Sequence, residues 1–147
     1  MNLRIFTAAL FLMAGLLTFS SCDKDDEEIR EQIENNITKG TWRITNFDDS
    51  GTDKTNNFDG WNFTFTEAGV VTASNGVLSY AGIWSVTDGD EDNDVLDDLD
   101  FNLGFPLLGT DFDDLNDDWD IFVQNSTKLE LTEVAGLETD LLTFTKN

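Results

Sequence analysis

Trp61-Asn62-Phe63-Thr64-Phe65-Thr66-Glu67-Ala68-Gly69-Val70-Val71-Thr72-Ala73-Ser74 decides the fold of this chain. Three large rings alternate with three short polar residues, which is the period of a strand with one face buried. Glu67-Ala68-Gly69 turns the chain, and Val70–Ser74 starts a second strand. Asn75-Gly76 then reads as a two-residue hairpin turn, because both residues tolerate positive φ. Val77–Val86 runs back with Leu78, Tyr80, Trp84 and Val86 on one side, and Gly82 on that face is expected to mark a bend or bulge.

The same period extends in both directions. Upstream, Trp42 and Ile44 alternate with Arg43 and Thr45. Downstream, Leu99, Phe101, Leu103 and Phe105 alternate with Asp98, Asp100 and Asn102. Trp119, Ile121 and Val123 mark a further strand, Asn125-Ser126 a turn, and Leu129 and Leu131 the strand after it. A last strand near 140–146 carries Leu142 and Phe144. About eight strands joined mostly by short turns predict consecutive antiparallel pairing. Such a sheet buries its apolar face and loses its open edges by closing into a barrel. A β-sandwich is the rival and requires long crossovers. Pro106 falls where the strand ending at Phe105 should stop, and 106–118 is expected to hold a helical turn built on Leu107, Leu108, Phe112 and Leu115.

Before the strands the period is helical. Ile29, Ile33 and Ile37 form one narrow stripe, predicting a short amphipathic helix over 26–37 that packs on the barrel. Arg30 is expected to pair with Asp26 or Glu34, and Lys39-Gly40 supplies the stop. Further upstream, Arg4 precedes the apolar run Ile5–Phe19, then Ser20, Ser21 and Cys22. That run is too short to span a bilayer, which takes about 20 apolar residues. A charged start, a short apolar middle and a small-residue end describe an export signal. The expected organisation is therefore a signal peptide over 1–21, an acidic tether and short helix over 22–39, and a barrel domain over 40–147. Roughly 110 residues suffice for one core.

Composition narrows the chemistry. The chain of 147 residues has 30 acids against 8 lysines and arginines, a formal charge of −22, no histidine and one cysteine. Such a charge repels nucleic acid and anionic headgroups. No disulfide is available within one chain, and triads or zinc sites that use histidine are excluded. No phosphate-binding glycine loop is present. No catalytic residue stands out among the many carboxylates, so the chain reads as a non-enzyme without a cofactor. Asp88, Asp90, Asp92 and Asp94 alternate along a loop and form a calcium candidate. The EF-hand pattern fails there, with Asn93 at its glycine and Leu99 at its closing acid. Solvated, mutually repelling loops are the other reading, as for Asp111, Asp113, Asp114, Asp117 and Asp118.

The residues also resemble known families. Ser20-Ser21-Cys22 resembles the end of a bacterial lipobox, with Phe19 where leucine is usual, which implies acylation of Cys22. Lys24-Asp25-Asp26 resembles the lipoprotein export signal of Bacteroidetes, which implies display on the outer face of the outer membrane; an anchor facing the periplasm is the alternative. Gly40-Thr41-Trp42 resembles the Gly-x-Trp that opens the first strand of lipocalins. The run 63–72, Gly82–Val86 and Lys128–Thr132 are similar to strands of lipocalin-like lipoproteins of Bacteroidetes. The arginine near the last strand and the paired cysteines of animal lipocalins are missing. The resemblance implies an all-β, eight-stranded, calycin-type meander barrel after a short helix. The expected function is binding of a small apolar or amphipathic ligand in a cavity lined by Trp42, Trp61, Phe63, Phe65, Tyr80, Trp84, Phe101 and Trp119; the alternative is that these side chains fill the interior themselves. If they fill it, the chain is expected to act through its surface, its acidic loops meeting a protein, glycan or cation. The expected partners are a membrane, through the N-terminal lipid, and such a ligand; a monomer is favoured.

Overall fold

A computed structural model describes residues 23–89 and 99–147. Helix α1 spans Asp23–Ile37. The strands are β1 (Trp42–Asp49), β2 (Thr52–Asp53), β3 (Asn62–Phe65), β4 (Val70–Ser74), β5 (Ser79–Asp88), β6 (Leu99–Gly104), β7 (Asp117–Gln124), β8 (Lys128–Ala135) and β9 (Glu138–Lys146). From β3 to β9 each strand pairs antiparallel with the next, and β1 pairs with both β3 and β9. Eight strands thus close a meander barrel, and β2 is a two-residue extension folded back on β1. The closure is uneven. β1 shares a long ladder with β9, but its pairing with β3 rests on Trp42 opposite Phe63.

Alternation carries the interior as expected. Phe63, Phe65, Val71, Ala73, Leu99, Phe101 and Leu103 are buried while their neighbours face outward. The stripe on α1 also packs as expected, with Ile33 and Ile37 in the core and Ile29 half in it. The helix begins at Asp23, three residues earlier than the pattern predicts. Acids in a first turn favour the positive end of the helix dipole, so the acidic stretch extends the helix where a solvated tether was expected. Arg30 binds Glu27 at 3.4 Å and Asp88 at 2.8 Å rather than Glu34, because Asp88 comes to it from the end of β5; the Asp26 side chain lies outside the described residues.

Three local expectations change. The turn after β4 is four residues long, since Ser74 pairs with Ser79. The Asn75 side chain accepts from the amides of Val77 and Leu78, an arrangement that replaces the two-residue turn. Asn125 does the same for Thr127 and Lys128. Gly82 makes no bulge, and the register from β4 through β5 to β6 is unbroken around it. Its reason is close approach: a Cβ there would lie 2.9 Å from Phe105 Cδ1 and overlap the Gly104 carbonyl. The helical turn in 106–118 contracts to a single 3-10 turn over Asp113–Leu115, with Phe112 and Leu115 buried and Leu108 exposed.

Candidate functional site

Because consecutive strands are antiparallel, their connections alternate between two ends of the barrel. One end holds α1, the start of β1, the β3–β4 and β7–β8 turns and the end of β9. The other holds the segments after β1 and β6 and the β4–β5 and β8–β9 turns. Between these ends the aromatic residues singled out in the sequence meet one another. Trp42, Phe63, Phe65, Phe101 and Trp119 are completely buried, and Trp84 nearly so. Phe65 lies edge-on to Trp84, Phe101 and Phe144 at 5.6, 5.9 and 5.8 Å. Trp84 stacks on Phe101 at 5.7 Å, and Phe63 meets Phe144 at 5.2 Å. Such ring pairs add to the free energy of burial.

The indole donors are satisfied internally. Trp42 Nε1 donates to the Ile37 carbonyl at 2.8 Å, Trp84 Nε1 to Thr66 at 3.0 Å, and Trp119 Nε1 to Leu115 at 3.1 Å. Each bond ties the core to a segment closing the barrel or turning at its rim. At the helix end, Trp42 sits beneath α1 with the Lys146 ammonium 5.2 Å from its ring centre. Gly40 leaves the space for that lysine. It has φ +86°, and a Cβ would stand 2.9 Å from Lys146 Cε. The lysine was not picked out in the sequence; its signal is the β1–β9 register, which pairs it with Trp42.

The opposite end is filled by loops. Phe58 comes from a 3-10 turn over Thr55–Phe58, and Phe112 from the β6–β7 connection. Phe112 lies 5.5 Å from Phe58, 5.0 Å from Phe105, 4.9 Å from Trp61 and 5.3 Å from Tyr80. Trp61 and Tyr80 stack on each other at 5.3 Å and are only half-buried, at the rim. Asn116 clamps the loop by receiving the Phe105 amide and donating to its carbonyl. Lys54 bridges Asp49 and Asp114, and Asn57 donates to Asp111 at 3.0 Å. Phe47 and Phe58 escaped the sequence reading. A register shift between Ile44 and Asn46 breaks the alternation leading to Phe47, and Phe58 stands alone in a polar loop.

Hollows are found on the outside. One of about 720 Å³ lies between α1 and the β3–β4 turn, lined by Glu31, Glu34, Glu67 and the edge of Trp84. Another of about 450 Å³ follows the gap between β1 and β3. A third of about 320 Å³ lies over Ile83 and Gly104 on the outer face of β5 and β6.

The charged groups follow the same geography. Glu133 and Asp140 are directly opposed on β8 and β9. A hydrogen bond with Asp117, then burial and the charges of Asp117, Asp140 and Asp120, push the Glu133 carboxyl up to about 7. Hydrogen bonds from Thr55 hold Asp53 below its ordinary range, and Asp114 and Asp49 raise Lys54. Of the calcium candidates, Asp88 is bound to Arg30, while Asp90, Asp92 and Asp94 lie outside the described residues. Among the described residues no group of three or more acids is arranged to hold a metal ion. Lys24, Asp25 and Asp26 fall in the first turn of α1; Cys22 and the signal segment 1–21 lie outside the described residues. Among the described residues no helix is long and apolar enough to cross a membrane.

No family model matches the chain, and no curated protein matches it. Among solved structures, it is similar to the crystal structure of a DUF4847 family protein from Bacteroides vulgatus ATCC 8482. The two chains are 18% identical with a TM-score of 0.50, over 78% of this chain and 97% of that one. At that identity the likeness concerns the fold.

Proposed function

We propose that this chain is a surface-displayed lipoprotein, anchored in the outer membrane through acylated Cys22, whose barrel acts as an interaction module through its exterior. The observation that carries this reading is the filled interior. The expected cavity residues are each other's neighbours, and Phe58 and Phe112 close the loop end. The anchor rests on Cys22 after a short apolar run, and export on Lys24-Asp25-Asp26. The Bacteroides source of the similar fold agrees with that export signal. Two or more acyl chains give stable membrane attachment.

The alternative is a small apolar ligand inside the barrel. The half-buried Trp61–Tyr80 stack favours it, but Phe112 must first leave the ring cluster. Titration with an anilinonaphthalene dye and with oleate, read by tryptophan fluorescence, separates the two. The expected result is no saturable quenching. One-to-one quenching would return the interior to use as a binding site. Cys22→Ala is expected to move the protein from the membrane to the soluble fraction, and unchanged fractionation sinks the anchor. Replacing Lys24, Asp25 and Asp26 by alanine is expected to reduce protease access on intact cells.

A further inference from the structure

We infer that the loop end of the barrel, opposite α1, is a docking face for a basic protein partner that carries an apolar patch. The inference rests on the reading of the barrel as an exterior interaction module and names the surface and its partner. Three separate turns at this end each present a large apolar side chain to water. Val77 on the β4–β5 turn is 91% exposed, Leu108 on the β6–β7 connection 85%, and Leu137 on the β8–β9 turn fully. Val134 and Leu141 beside the β8–β9 turn are exposed as well, while Ile83 and Phe122 are exposed elsewhere on the wall. The exposed apolar residues are thus concentrated at this end without being confined to it; such a concentration suits a contact surface.

Charge selects the partner. Among the described residues, Lys54 is the one lysine or arginine at this end, and it is held between Asp49 and Asp114. Arg30, Lys39, Arg43, Lys128 and Lys146 belong to the helix end. The carboxylates around the tips are held by neutral donors: Asp48 by the Gly51 amide, Asp111 by Asn57, Asp140 by Ser50. Their charge is thus fixed in place by the fold and not cancelled. A second copy of this chain would bring the same charge against it. A basic surface with an apolar centre complements both features, with the charges steering the encounter and the tips supplying contact area. This end also lies opposite α1, whose Ile33 and Ile37 close the other end of the barrel.

The test uses the full chain purified in a non-ionic detergent. The probes are cytochrome c, a basic protein whose apolar haem edge is ringed by lysines, and poly-L-lysine, which offers charge alone. Saturable binding of cytochrome c that weakens with salt is expected, with hydrogen-exchange protection at the three turns. The triple variant Val77→Ser, Leu108→Ser, Leu137→Ser leaves charge and core intact. It is expected to weaken cytochrome c about tenfold and poly-L-lysine less than twofold. Asp111→Asn with Glu138→Gln is expected to slow association, while Glu31→Gln with Glu34→Gln, an equal charge change at the helix end, leaves it unaltered. Unchanged affinity of the serine variant, equal loss from the helix-end pair, or protection centred on α1 overturns the inference. So does self-association or vesicle binding through these turns. Those outcomes leave the filled-barrel reading standing, since only a ligand entering the core removes it.

Discussion

The two ends of the barrel are closed by different means. At one end α1 lays Ile33 and Ile37 over Trp42, and the helix brings its own hydrogen-bonded backbone. At the other, single rings from irregular segments, Phe58 and Phe112, fill the mouth, and a few side-chain bonds from Asn116, Asn57 and Lys54 hold them. A regular element spreads its attachment over several turns. A loop closure concentrates it, so one substitution can undo it. The same architecture therefore has one end closed by a regular element and one closed by single side chains.

That contrast can be broken at either end. The largest effect is expected from Trp42→Ala, which removes the indole that joins helix to barrel and strips Lys146 of its ring. A loss of about 3–5 kcal/mol in urea unfolding is expected. A smaller loss together with an intact helix signal would mean that the two ends are equally replaceable. Phe112→Ala is expected to cost about 3 kcal/mol, the lower part of that range, because a loop can settle into the space. It should also create one-to-one uptake of the anilinonaphthalene dye, which Trp42→Ala should not. Asn116→Ala leaves the Phe105 amide and carbonyl without their partner and is expected to cost about 1–3 kcal/mol. Its hydrogen exchange should quicken in 105–116 and not in α1.

The smallest effect concerns pH and sits at the loop end alone. Glu133 titrates at about 7 in the fold, above its ordinary 4.5. The folded chain therefore holds this proton more tightly than the unfolded chain. Its contribution is fully present below pH 4.5 and is lost as pH rises toward 7. Glu133→Gln, which keeps a donor for Asp117, is expected to raise the melting temperature at pH 7.5 and leave it nearly unchanged at pH 4. An equal rise at both values would remove the carboxyl pair as the cause.

The barrel was legible in the sequence because its strands are half-buried and alternate strictly. Phe63-Thr64-Phe65 and Leu99 to Leu103 needed no information from elsewhere in the chain. The helix was legible for the same reason, by a different period. What escaped depends on contacts far apart in sequence. Gly82 looks like a bulge until Phe105 is seen against it. Phe58 looks like a loop residue until Phe112 arrives 54 positions later, and Arg30 needs Asp88, 58 positions away. The aromatic set was readable as interior, but whether it surrounds a space or occupies it depends on how rings from six strands and two loops meet. The eight aromatics were named without the two phenylalanines that close the mouth, Phe58 and Phe112.

Helix α1 lies against the barrel through Ile33, Ile37 and the Arg30–Asp88 pair, and residues 38–41 join it to the first strand. A pull on the chain at residue 23 therefore reaches the helix–barrel seam before it reaches any strand ladder. Drag or tugging at the far pole would peel the helix first, exposing Ile33 and Trp42 while the ribbon stays wound. In mechanical terms the seam is a fuse, and a single-molecule stretch should record it as a small, early, low-force step ahead of the main rupture.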